Sequence, residues 1–148
     1  MPLRALFHAS VDPPPDLEPF PVDLLASLLR EEGIADEGEV NCVLVDDDEI
    51  ASLNERFHGR VGPTDVLAFP YDPHATEGLH GDIYVSLDRA VEQAEERGEP
   101  PAREAWRLFV HGALHLAGHD HQTAAADRVM RERQEAWVEL AFPGPASS

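Results

Sequence analysis

The chain contains no lysine and a single cysteine, Cys42. One thiol cannot form an intrachain disulfide, and the reducing cytosol is the default compartment for such a chain. Long apolar runs are missing as well. No stretch approaches the roughly 20 residues that a membrane-spanning helix needs, so no membrane partner is expected. Met1 to His8 has neither a long apolar core nor a small-residue cleavage site, and does not read as a secretory signal.

Positive charge is scarce. Eleven arginines stand against 29 acidic residues, a formal net charge of −18 that argues against non-specific adhesion to long nucleic acid. The imbalance is local, however: residues 1 to 100 hold 23 acids and 6 arginines, whereas residues 101 to 137 hold 5 of each. Arginine suits bidentate phosphate contacts better than lysine does, so a phosphate is tolerable in that second region. At 148 residues and 43% apolar, the chain is expected to form one globular domain spanning 1–148.

What the chain does have is histidine, concentrated in His111-Gly112-Ala113-Leu114-His115-Leu116-Ala117-Gly118-His119-Asp120-His121. His111 and His115 are four apart, so on a helix they share a face and their rings can converge on one ion. Gly118 can take the left-handed conformation that ends a helix, letting the chain turn back and present His121. Three neutral imidazoles with an open fourth position are the ligand set of a catalytic Zn²⁺. The spacing is that of metzincin peptidases, with Gly112 where those enzymes carry the glutamate that activates water. His119 reads as a bystander, because Gly118 breaks the helical register ahead of it.

Alternation of apolar runs with helical periodicity predicts an α/β (α+β) domain: a small mixed four-stranded sheet covered by about five helices, one of them central and carrying the metal motif. Residues 3 to 8 read as a first strand, and a helix from Val22 is stopped by Gly33. Glu39 to Val45 reads as a buried strand. Asp46-Asp47-Asp48-Glu49 then caps and charges a helix ending near Gly59, in preference to forming a carboxylate metal cluster. Pro63 to Pro70 is a short strand between prolines, followed by a loop. Gly81 to Ser86 is another strand, leading into a helix from Leu87 to Arg97 with Ser86 as N-cap. The motif helix starts near Ala102 or Arg103. The last helix, about Thr123 to Leu140, is expected to turn Val129, Met130, Ala136, Trp137 and Leu140 inward. Asp82 is either a turn residue at a strand start or a carboxylate that orients a ligand imidazole.

The run Pro63-Thr64-Asp65-Val66-Leu67-Ala68-Phe69-Pro70, the strand Gly81-Asp82-Ile83 and the form HGxLHLxGxDH of residues 111 to 121 together resemble the YbeY family of bacterial rRNA maturation endoribonucleases, over about residues 40 to 137. The resemblance implies a cytoplasmic zinc enzyme with one Zn²⁺ per chain on His111, His115 and His121. It would cut single-stranded RNA in 16S rRNA 3′-end maturation and ribosome quality control. Implied partners are an rRNA precursor or the small ribosomal subunit, a small-subunit ribosomal protein and the GTPase Era. Where the family often has an arginine between an aromatic residue and a glycine, this chain reads Phe57-His58-Gly59, so His58, Arg60 or Arg56 is left to meet the phosphate. Ala68 stands where the family usually has serine.

The mechanism expected from these parts is attack by zinc-activated water on an RNA phosphodiester, with an arginine offsetting the charge that builds on phosphorus. Asp120 is the first candidate for general base, ahead of His58 and His119; a turn-capping role for Asp120 is the alternative. Two other functions fit the same residues: a ribosome-associated assembly factor with a mainly structural metal, and a metal-dependent hydrolase of another substrate class.

Overall fold

The computed structural model describes residues 2–33, 35–70 and 78–144. The loop expected after Pro70 falls largely on 71–77, outside the described residues. In chain order the elements are β1 (Arg4–Ala9), α1 (Val22–Gly33), β2 (Gly38–Val45), α2 (Asp47–His58), β3 (Val66–Pro70), β4 (Leu79–Ser86), α3 (Leu87–Arg97), α4 (Pro101–Leu116) and α5 (Ala124–Ala141). The four strands form one mixed sheet in the order β1-β2-β4-β3, in which β1–β2 and β2–β4 are parallel and β3–β4 is antiparallel. This is the α+β architecture that the periodicities predict.

The local signals act as their chemistry requires. The Asp46 carboxylate accepts the Glu49 N–H at 2.9 Å and caps α2, while Asp47 takes the Ser86 hydroxyl at 2.7 Å and pairs with Arg89. The acidic run is therefore a capping device. Ser86 caps α3 by accepting the Arg89 N–H at 3.3 Å. Gly59 and Gly98 end their helices in the left-handed conformation.

Helix α4 is the centre of the molecule. On the side facing the sheet and α1, Trp106, Phe109, Val110, Ala113 and Leu114 are fully buried. Phe7, Phe20, Trp106 and Phe109 pack edge-on and stacked in the same core. Gly112 explains how α4 comes so close to the strands, since a Cβ there would lie 2.5 Å from Ile83 Cγ2. Position 112 thus faces the sheet, and a longer side chain has no room there. A smaller cluster, Val45, Ile50 and Leu67 with Phe69 and Tyr84 against it, fills the opposite face of the sheet under α2.

Helix α5 differs from the sequence expectation. Met130, Trp137 and Val138 are buried, but Val129 and Leu140 are 49% and 65% exposed, and Ala136 is exposed too. Docking is directed by Trp137, whose backbone carbonyl accepts the Trp106 indole N–H at 3.2 Å. The inward stripe then runs Met130, Gln134, Trp137, Val138, Ala141, and turns Val129 and Leu140 to solvent. Asp82 also departs from both of its readings. It lies inside β4, paired in register with Asn41, whose amide donates to it at 3.1 Å. Ile83 points at α4, so its neighbour Asp82 points to the other face, away from the histidines.

Candidate metal centre

Helix α4 delivers the first two imidazoles from its last two turns, with His111 Nε2 and His115 Nε2 only 3.1 Å apart. The helix then ends in a Schellman arrangement: His119 N–H reaches Leu114 C=O at 2.9 Å, and Gly118 N–H reaches His115 C=O at 3.0 Å. Gly118 takes φ +102°, which only glycine adopts without strain. The chain reverses, and His121 comes back over the helix end with its ring 5.2 Å from that of His115. One ligand atom from each of the three histidines lies within 4.8 Å of the others.

The donor set fits a tetrahedral cation. Metal–nitrogen bonds of about 2.0–2.1 Å at tetrahedral angles place two ligand nitrogens about 3.3 Å apart, close to the observed pair. Burial lowers the pKa of His115, and the adjoining His111 and His121 lower it further. Each effect favours the neutral ring that a metal needs.

His111 is oriented from α5. Its Nδ1 lies 2.7 Å from Gln134 Oε1. The Gln134 amide nitrogen donates to Glu135 at 3.1 Å, so the amide oxygen is the atom facing the imidazole. His111 must then carry its proton on Nδ1 and leave Nε2 free for the ion. Behind Glu135 stands Arg107, only 3% exposed, which also holds Glu99 at 2.7 Å and the buried Glu104. Burial raises the Glu104 pKa, and Arg107 opposes that rise with a hydrogen bond and its charge. The positions i, i+3 of Glu104 and Arg107 hint at this pair from sequence. Nothing local hints at Gln134, which is 23 residues from its partner.

The structure separates the other sequence candidates. His119 turns away from the triad to Glu32, at 3.1 Å. The Asp120 carboxylate accepts the Gln122 N–H at 3.2 Å, a turn-forming bond, while its charge also acts on His115. His58 and Arg60 line a groove of about 380 Å³ together with Asn54, Thr64 and His115. Arg56 is not among the groove residues; its guanidinium sits 5.8 Å from the centre of the Phe57 ring.

Two cavities therefore meet at the histidines, and they differ in charge. The larger, about 740 Å³, reaches His111 and His121 and carries the carboxylates Asp65, Glu104, Asp127 and Glu135 beside Arg97, Arg107 and Arg131. The groove at His115 has no carboxylate among its described lining residues and contains Arg60. In a chain of net charge −18, an anion meets less repulsion from the described lining residues of that groove than from those of the larger cavity.

Comparison with known proteins bears on this arrangement. The profile of the family described as Endoribonuclease YbeY matches residues 13–141. The chain belongs to the YbeY family. Among its relatives, the endoribonuclease YbeY of Carboxydothermus hydrogenoformans is 46% identical over 107 residues, covering 72% of this chain and 73% of the relative. That of Moorella thermoacetica is 46% identical over 123 residues, covering 76% and 79%. The solution structure of TM1509 from Thermotoga maritima superposes with a TM-score of 0.66 at 32% identity, over 93% of this chain and 89% of that one. In this YbeY-family chain, no described helix is long and apolar enough to cross a membrane.

Proposed function

We propose that the chain is a zinc-dependent endoribonuclease that cuts single-stranded RNA as one domain, with His111, His115 and His121 holding one Zn²⁺. The observation that carries this reading is the juxtaposition of a three-imidazole cluster with a groove that contains Arg60 and has no carboxylate among its described lining residues. Family membership supports the reaction class. A bound zinc supplies a Lewis acid for a phosphoryl oxygen and brings the pKa of water toward about 7.

The chain's own residues do the rest. Arg60, at the groove, holds the phosphodiester and offsets the charge that develops on phosphorus as the bond to the leaving oxygen breaks. His58 takes the place of the family's arginine in the sequence and lines the same groove as Arg60. Asp120, next to His121 in sequence, accepts the proton of the attacking water once its carboxylate releases the Gln122 N–H. Position 112 cannot supply that base, because it is packed against Ile83. Resemblance to the family further supports a role in 16S rRNA 3′-end maturation and ribosome quality control in the cytoplasm, with the small ribosomal subunit, one of its proteins and the GTPase Era as partners.

The test is cleavage of a single-stranded RNA by zinc-loaded protein beside a folded His115→Ala variant purified identically. Cutting by the first alone is expected. Equal cutting by both, or none by either, overturns the nuclease reading and favours an assembly factor whose metal is structural.

A further inference from the structure

At the C-terminal end of α2, Phe57 is 58% exposed and leans on Phe69 of β3 with ring centres 5.2 Å apart. His58, also exposed, stacks on the same Phe69 at 5.3 Å with the two rings 17° from parallel. Tyr84 backs Phe69 edge-on at 5.9 Å. Phe69 is thus a half-buried base on which two exposed rings are mounted. Arg56 lies over Phe57 at 5.8 Å, and Arg60 comes one residue beyond the helix cap. His58 and Arg60 line the same groove as His115, and Phe57 is joined to His58 through the Phe69 ring they share.

From this we infer that Phe57 and His58, with Arg56 and Arg60 beside them, form a stacking platform for the bases of unpaired RNA, which feeds the strand into the groove that ends at His115. The chemistry is that of sequence-tolerant single-strand binding. Each base offers a π-face to an aromatic ring, and the backbone phosphates fall to arginine. A duplex presents no such face, because its bases are stacked on one another. Charge favours the same occupant, since the groove next to the platform holds Arg60 and no described carboxylate, whereas the cavity on the other side of the histidines sets four carboxylates against three arginines. The platform rests on the ribonuclease reading and adds to it where the strand is gripped and why a single strand is chosen.

The experiment measures equilibrium binding of a fluorescein-labelled 12-nucleotide oligoadenylate to full-length protein by anisotropy, with chelator present so that no strand is cut. A duplex of equal length serves as the comparison. Phe57 is exposed, so Phe57→Ala should keep its fold, which circular dichroism checks. The expected result is single-strand binding about 5- to 100-fold weaker in Phe57→Ala, unchanged duplex binding, and recovery in Phe57→Tyr. Equal weakening for both nucleic acids, no weakening, or no binding of the single strand by the unaltered protein overturns the platform. Cleavage by the zinc-loaded protein separates the two readings. If RNA is cut but Phe57→Ala binds normally, only the platform falls; if Phe57→Ala loses single-strand binding but no RNA is cut, only the nuclease falls.

Discussion

Gln134 offers the sharpest test of how the metal centre is built. Its amide oxygen stands 2.7 Å from His111 Nδ1, and the other end of the amide is anchored on Glu135. Gln134→Leu keeps a branched side chain of similar volume, one bond shorter, and removes the acceptor. The His111 ring then loses its preferred tautomer and its fixed rotation, so part of the metal-binding energy is spent on ordering it. Losing such an outer partner typically weakens metal affinity about 10- to 100-fold, which corresponds to about 1.4–2.8 kcal/mol. Gln134→Glu keeps an acceptor at the same place and should hold affinity near that of the parent. The assay is competition for Zn²⁺ against a chromophoric chelator, with the visible spectrum of the Co²⁺ form reporting geometry. An unchanged affinity in Gln134→Leu, with melting temperature also unchanged, would show that His111 is oriented by the helix alone and would refute the role given to Gln134.

Two further predictions concern the scaffold. Gly112→Ala drives a methyl group to within 2.5 Å of Ile83 Cγ2 and should cost about 1–3 kcal/mol by overpacking, seen as a lower urea midpoint; an unchanged midpoint would mean that α4 can lift from the sheet freely. Glu99 is held below the ordinary carboxylate value of 4.5, first by its hydrogen bond from Arg107, against some opposing burial, and then by the charges of Arg107 and Arg103. Its folded form therefore binds fewer protons than the unfolded chain in that range. The stabilisation is complete above pH 4.5 and is lost as pH falls through the lower folded value. Urea midpoints taken from pH 7 down to about 3 should fall at the acid end, with a shallower fall in Glu99→Gln. Parallel profiles for the two proteins would sink the assignment.

The helix ends were legible because each is decided within a few residues. Asp46 and Ser86 cap the starts of α2 and α3, and Gly59 and Gly98 stop the same two helices, through bonds spanning one turn. The histidine cluster was legible for the same reason, since four-residue spacing and one left-handed glycine bring three rings together without help from distant chain. The faces of α5 were not. Val129 and Leu140 look like core residues until the Trp137 carbonyl takes the Trp106 indole N–H and the Trp137 indole reaches Glu32, which fixes the rotation of the helix. Asp82 looked free to approach the histidines until β4 took its place in the sheet and turned it to the far face.

Strand and helix order, the caps and the convergence of three imidazoles all arise from the short-range geometry of the backbone and can be read along the chain. Packing is what sets which side chain orients His111, why position 112 must be glycine, and that the arginine-containing groove is free of described carboxylates while the neighbouring cavity is not. Those are contacts between residues 20 to 40 positions apart or more. No periodicity or spacing encodes them, because they exist only once packing has set how one element lies on another.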